Sequence, residues 1–266
     1  MRRSLMAVPM AVLASLAVAA PVHADGPGTY GKNDAGGFRN VLPPGQNGLD
    51  TLGQILQFRA NGSLPKHWAD QQPLYDGLLY ASPTLTDEQV KDYYKDATFG
   101  VEKKDRTGVV KPRKGVTIMR DKQYGVPRVY GKTRSDTMFG AGYVSANDRL
   151  FLMDVLRHTG RADLTNFLGG ANLNADANQW QNNAYTNDDL KKMLKAPAQG
   201  SLKEWKKLRK DVNAYVDGIN AYIKAARNDD ALLPGEYAAV GQKLKNWGPT
   251  DVMAVAVVTT SVPAPV

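Results

Sequence analysis

The chain has 266 residues, no cysteine, and 34 Lys and Arg against 26 Asp and Glu, a formal net charge of +8. The lack of cysteine excludes disulfides, thiolate zinc sites, iron–sulfur clusters and cysteine nucleophiles, so core packing or a bound metal must supply stability. The cations are spread along the chain with one dense run over residues 203–210, which reads as a solvated basic surface, with attraction to an anionic polymer as the functional alternative.

The N-terminus has the build of a secretory signal. Arg2 and Arg3 precede an apolar run over residues 5–20 that only Pro9 and Ser15 interrupt, and Val22-His23-Ala24 fits a small-x-small cleavage site. Cleavage after Ala24 places the protein outside the cytoplasm, extracellular or periplasmic, free of the membrane, and lowers the net charge to +6. The run is short for a bilayer span. About 240 residues then remain, enough for one large or two small cores.

Residues 25–44 are rich in Gly, Asn, Asp and Pro and read as loop. Helical spacing follows over 49–58, with Leu49, Leu52, Ile55 and Leu56 on one side, and again over 68–80 and 86–94. Thr84 or Thr86 is placed to cap the last of these. Residues 99–114 are charged and contain Gly, so they read as a linker. At Gly115 the pattern changes. Val116 and Ile118, then Val126, Val129 and Tyr130, predict two short strands joined by a turn at Tyr124-Gly125-Val126-Pro127. Asp136 is placed to cap a helix that carries Phe139, Tyr143, Leu150, Phe151, Met153 and Leu156 inward and ends at Thr159-Gly160. A short helix over 163–168 closes at Gly169-Gly170. Ser201-Leu-Lys-Glu204 forms a capping box for a long helix with Leu202, Trp205, Leu208, Val212, Tyr215, Ile219 and Tyr222 at steps of three and four. Thr250-Asp251 caps a final apolar helix over 252–258, before Pro263 and Pro265.

Residues 116–153 contain V-T-I-M-R-D-K-Q-Y-G-V-P-R-V-Y-G and D-T-M-F-G-A-G-Y-V-S-A-N-D-R-L-F-L-M. This block resembles the start of the penicillin acylase (penicillin amidase) family of N-terminal-nucleophile hydrolases. Four further stretches are similar to family motifs in the right order: G-R-A-D-L-T-N-F-L-G at 160–169, Y-V-D-G-I-N-A-Y-I at 215–223, L-P-G-E-Y at 233–237 with Gly241, and W-G-P-T-D-V at 247–252. The chain departs from the pattern at Arg128, where the family usually has His, and residues 25–114 have no counterpart in its best-known members.

The resemblance implies a precursor cut into an α and a β segment. The nucleophile is a Ser at the start of β, its own α-amine acts as base through a water, and β-segment donors hold the oxyanion. The chain looks like the α segment and stops at Val266 before any β segment, so no catalytic residue is expected in it and the fragment alone is expected to be inactive. Its expected partners are its own β segment and a small-molecule amide, with neither nucleic acid nor membrane. Counted without gaps from Asp251, the substrate-lining positions fall at Thr260 and Ala264. The family's calcium-binding carboxylate falls beyond Val266, so calcium belongs to the complete enzyme and no metal site is expected in this chain. The implied fold class is α+β: a mostly helical segment with a β-hairpin that joins an αββα core. The organisation is a signal at 1–24, an extension at 25–114 and the α segment at 115–266.

Other constellations are weaker. Ser63-Leu-Pro-Lys66, Ser145-Ala-Asn147 and Arg106-Thr-Gly108 match serine β-lactamase motifs by type but not by order. Asn172, Asn174, Asp176 and Asn178 alternate like a calcium loop, but only one is a carboxylate and Ala177 occupies the Gly position, so a solvated loop is expected. His67 and His158 have no acid at ligand spacing. Arg120-Asp121 and Asp148-Arg149 are adjacent charged pairs. Neighbours on a strand face opposite ways, so Arg120 and Asp121 need separate partners, and an anchoring role toward the β segment is expected.

Overall fold

The computed structural model describes residues 40–41, 51–65, 69, 72–93, 95–96, 101–183, 185–195 and 201–260. The signal segment, His67, Lys66 and Ala264 lie outside them. Within them the chain is mostly helical, with one three-stranded antiparallel sheet and a two-residue pairing of Asn40–Val41 with Lys95–Asp96.

The N-terminal extension forms helices α1 (Leu52–Asn61), α2 (Gln72–Ala81) and α3 (Val90–Tyr93). Thr51 caps α1 in a reciprocal capping box with Gln54, which shifts the helix three residues past the start read from its apolar spacing. No residue of α1 is buried, and Leu56, Phe58, Leu79 and Tyr80 are exposed. The start of α1 touches the body at Gly235, where a Cβ would lie 2.4 Å from the Leu52 nitrogen.

The body begins earlier than its apolar pattern indicates. Strand β1 (Arg106–Val110) forms inside the stretch read as a linker and pairs with β2 (Val116–Asp121), which pairs with β3 (Pro127–Gly131). The Thr-Gly-Val-Val sequence of β1 is short and set among charges, and Val109 and Val110 are half exposed, so no alternation marks it; its partner strand supplies the order. The β2–β3 turn is built by Asp121, whose carboxylate accepts from the Tyr124 amide at 2.7 Å and the Val126 amide at 3.1 Å.

Helix α4 (Arg134–Gly160) lies under the sheet. Its N-cap is Thr133, three residues before the position read from sequence, and Asp136 is the reciprocal member of the capping box. The helix breaks at Arg149, where φ is −146° and ψ is 21°. The half before the break places Phe139 and Val144 against Val116 and Ile118 of β2. The half after it places Leu150 in the main core with Phe167, Tyr237 and Trp247. Short helices α5 (Leu164–Leu168), α6 (Leu173–Asn182) and α7 (Asn187–Lys195) follow. The Asn-rich stretch is therefore helix α6, and Asp176 is buried, accepting from the Leu164 amide at 2.7 Å and the Thr165 amide at 2.8 Å to close the start of α5.

Helix α8 (Leu202–Ala226) starts at the expected Ser201–Glu204 capping box and buries Trp205, Val212, Val216, Ile219, Tyr222 and Ile223; Leu202 is exposed. It crosses α4 at two reciprocal glycines. A Cβ on Gly142 would lie 1.9 Å from the Tyr215 carbonyl oxygen, and one on Gly218 would lie 2.0 Å from the Phe139 carbonyl oxygen. No side chain fits there, so the two backbones touch. Helices α9 (Glu236–Val240) and α10 (Pro249–Thr260) are the last described elements. Helix α10 buries Val252, Met253, Ala254 and Val257, packing in part against Leu190 of α7. None of the described helices is long and apolar enough to cross a membrane.

Candidate functional site

The residues of the five sequence motifs meet in two polar networks that flank the α4–α8 crossing. In the first, Arg120 of β2 reaches α4 and forms a bidentate ion pair with Asp148, donates to the Asn147 amide oxygen at 3.0 Å and returns to the Gly125 carbonyl at 2.9 Å. The Asn147 amide donates to the Tyr222 hydroxyl at 3.3 Å, and that hydroxyl donates to the Leu232 carbonyl at 2.8 Å. Burial pushes the Tyr222 hydroxyl up to about 12, so it stays protonated and serves as a relay of hydrogen bonds between β2, α4, α8 and the 228–235 loop. Arg120 and Asp121 do take separate partners, as strand geometry requires. Those partners lie within this chain. Arg149 folds back on its own helix, donating to the Asp148 carbonyl at 2.9 Å.

The second network is centred on Asp154, which is 1% exposed. Its carboxylate accepts from the Tyr237 hydroxyl at 2.7 Å and the Trp247 indole at 2.8 Å, and pairs with Arg157 at 3.0 Å. Burial pushes the Asp154 carboxyl up, opposed first by the Arg157 charge and then by the two donors. Burial also drives the Tyr237 hydroxyl far up, and the neighbouring Asp154 charge adds to this; the proton stays on Tyr237. The Arg157 guanidinium stacks 5.0 Å from the Trp247 ring and donates to the Asn246 carbonyl.

From there the network runs to α10. Asp251 accepts from the Gly248 amide at 2.6 Å, capping the helix, and pairs with Arg161 at 2.8 Å and with Arg157 at 3.5 Å. Burial pushes the Arg161 guanidinium down, while Asp251 holds it charged. Asn220 of α8 grips Trp247 by both backbone groups, accepting from its amide at 2.8 Å and donating to its carbonyl at 2.9 Å. At Gly160 a Cβ would lie 2.0 Å from the Ala254 carbonyl oxygen, so α4 and α10 also touch backbone to backbone. The W-G-P-T-D-V motif is thus a fixed socket that sets the direction of α10. A cleft of about 450 Å³ opens beside it, lined by Arg157, His158, Arg161, Asp163, Lys245 and Asp251 among others.

The structure brings these motif residues together and, among the described residues, does not assemble the alternatives. Ser145 and Asn147 lie inside α4, where Asn147 is engaged with Arg120 and Tyr222, and Ser63 follows α1. His158 has an acid partner that its sequence spacing does not reveal: its Nδ1 lies 3.1 Å from Asp163, and its ring stacks on Phe167 at 4.6 Å. Asp154, Asn220 and Tyr237 are the central residues that motif reading passed over as chemistry. An Asp at helical spacing from Leu150 and Arg157, on the apolar side of the helix, was the available signal. Thr260 is the last residue of α10.

The comparisons agree with the region the networks hold together. A family model described as penicillin amidase matches residues 115–261, from the start of β2 to the end of α10. Penicillin G acylase of Escherichia coli is 31% identical over 147 residues, 54% of this chain and 16% of that protein. Acyl-homoserine lactone acylase QuiP of Pseudomonas fluorescens is 29% identical over 148 residues, and penicillin acylase 2 proenzyme of a Pseudomonas species is 27% identical over 140 residues. A solved thermostable penicillin G acylase from Alcaligenes faecalis matches with a TM-score of 0.46 at 30% identity, covering 54% of this chain and 71% of that one. The chain spans about one sixth of the length of these curated relatives, 16% or 17% in each case. With more than half of its residues matched by one family model, the chain belongs to the penicillin amidase family.

Proposed function

We propose that this chain is the α-type segment of a secreted amidohydrolase precursor whose nucleophile lies on a further segment. The whole enzyme hydrolyses a linear amide between an acyl group and an amine, the linkage common to a penicillin acylase and an acyl-homoserine lactone acylase. A Ser hydroxyl adds to the amide carbonyl, the amine leaves with a proton, and water releases the acid from the acyl-enzyme. The observation that carries this reading is the coincidence of the family match over 115–261 with the body fixed by the Asp154 and Arg120 networks. The sheet supports it as well: in the order β1-β2-β3 both outer strands lack a further strand neighbour among the described residues, which suits a sheet extended by another segment. In this reading α10 runs toward the acyl pocket, with Thr260 and Ala264 at its lining, and calcium is held by the complete enzyme.

The test is to sequence the reading frame beyond codon 266 and express the whole frame. The expected result is a cleaved product with a new N-terminal Ser that releases acid from a phenylacetyl amide or an N-acyl homoserine lactone. A stop codon directly after 266, or an uncut product without amidase activity, overturns the reading.

A further inference from the structure

We propose that the exposed lysine face at the start of α8 is a docking surface for an anionic polysaccharide. Lys203, Lys206, Lys207, Arg209 and Lys210 are all exposed. At 100° per residue, the four lysines fall within an arc of roughly 100° on one side of the helix, and Arg209 lies roughly 60° beyond it. The opposite side is pinned to the body by Trp205 and Val212, which are 5% and 7% exposed. The face is therefore held rigidly outward.

Two observations separate this face from an ordinary solvated helix surface. First, most of its i,i+3 and i,i+4 neighbours are each other: Lys203 with Lys206 and Lys207, Lys206 with Arg209 and Lys210, and Lys207 with Lys210, while Lys207 alone also has carboxylates at these spacings, Glu204 and Asp211. Like charges at these spacings destabilise a helix, and cations near its N-terminus oppose the macrodipole. Second, the nearby carboxylates are committed elsewhere. Asp211 is buried and bidentate to Arg134 at 2.9 and 2.8 Å, and Glu204 closes the capping box with Ser201. None of the five cations forms an ion pair among the described residues. Lys207 is close enough to help hold the Glu204 carboxyl below its usual range, after the stronger effect of the Ser201 hydrogen bonds. The helix thus carries a concentrated positive field, offset only in part by Glu204, at a position where its own fold disfavours one, and an external polyanion would relieve it.

The make-up of the face selects the class of polyanion. Single-stranded nucleic acid is gripped by aromatic stacking, and the arc carries no aromatic residue. Membrane binding uses several apolar residues beside the basic ones, whereas here Leu202, between Arg209 and the lysine arc, is the single exposed apolar side chain. Phosphate recognition favours the arginine fork, whereas here four of the five cations are lysines acting as point charges. Flexible chains bearing carboxylate or sulfate fit this arrangement. The surface is independent of the amidase reading and would localise the protein without entering its chemistry.

The test uses the full chain and heparin as the probe. Retention on immobilised heparin is compared with that of a variant carrying K203Q, K206Q, K207Q and K210Q, and of a charge-matched control carrying K111Q, K114Q, K243Q and K245Q, with helicity checked by circular dichroism. The expected result is salt-sensitive heparin binding that weakens by roughly tenfold or more in the face variant and far less in the control. Equal losses in the two variants would reduce the effect to net charge and overturn the proposal. So would tighter binding to single-stranded DNA, or to vesicles of phosphatidylcholine with phosphatidylglycerol, than to heparin at the same ionic strength.

Discussion

Replacing Asp154 by Asn removes the charge at the centre of the α4–α10 network with almost no change of shape. The carboxylate accepts from Tyr237 at 2.7 Å and Trp247 at 2.8 Å and faces Arg157 at 3.0 Å, all within the core. An Asn carries one acceptor oxygen, and its amide turns a donor toward one of three donors. Arg157, 5% exposed, would keep Asp251 at 3.5 Å as its nearest carboxylate. Breaking one side of a buried ion pair costs about 3–5 kcal/mol. For a domain of this size that corresponds to a fall in Tm of about 6–20 °C. Urea unfolding of the 266-residue chain, followed by tryptophan fluorescence, measures it. Lys191→Gln, which breaks an exposed pair with Asp188, is the control and should stay within about 0.5 kcal/mol. Burial favours a protonated Asp154 and Arg157 opposes it. A loss under about 1 kcal/mol in Asp154→Asn would show that burial wins, that the carboxyl is neutral, and that the ion-pair argument fails.

Gly218→Ala places a methyl 2.0 Å from the Phe139 carbonyl oxygen, so α4 and α8 must part; a loss of about 1–3 kcal/mol is expected in urea unfolding. Adding Gly142→Ala should cost less than its single effect, because one separation relieves both clashes. Asp148→Ala strips Arg120 of its carboxylate and should cost about 1–3 kcal/mol, read as a lower urea midpoint with m unchanged. Burial raises the Asp176 carboxyl, but the Thr165 and Leu164 hydrogen bonds outweigh it and hold the group below its usual range. Its contribution is then fully present above the unfolded value of about pH 4 and is lost as pH falls through the lower folded value. Asp176→Asn should lower the urea midpoint at pH 7 and flatten its decline in the acid range.

Local signals in the sequence located most elements of the body. Ser201 and Glu204 define the start of α8 without tertiary help, because the capping box is complete within four residues. Thr133 was missed in favour of Asp136, although both belong to one capping box, since either residue type can open a helix. Strand β1 was missed because Val109 and Val110 bury only half their surface and gain their order from Met119 and Ile118 across the ladder. Helix α6 was hidden by its asparagines, which favour turns in isolation; Asp176 is drawn inward by two amide donors eleven and twelve residues away. The site was legible as a string of motifs but not as a network. The contacts of Asp154 with Tyr237 and Trp247 span 83 and 93 residues, and no local pattern encodes such a separation.

The break in α4 at Arg149 makes the helix sensitive to its own residue count. The half before it is keyed to the sheet by Phe139 and to α8 by Gly142, and the half after it is keyed to α9 and α10 by Asp154 and Gly160. Each residue of helix turns everything beyond it by about 100°. Deleting one residue between Gly142 and Asp154 would therefore swing the carboxylate away from Tyr237 while leaving every amino-acid type in the core unchanged. Loops elsewhere in the chain can gain or lose residues at modest entropic cost, whereas a change of length in this stretch of α4 misaligns every contact beyond it at once.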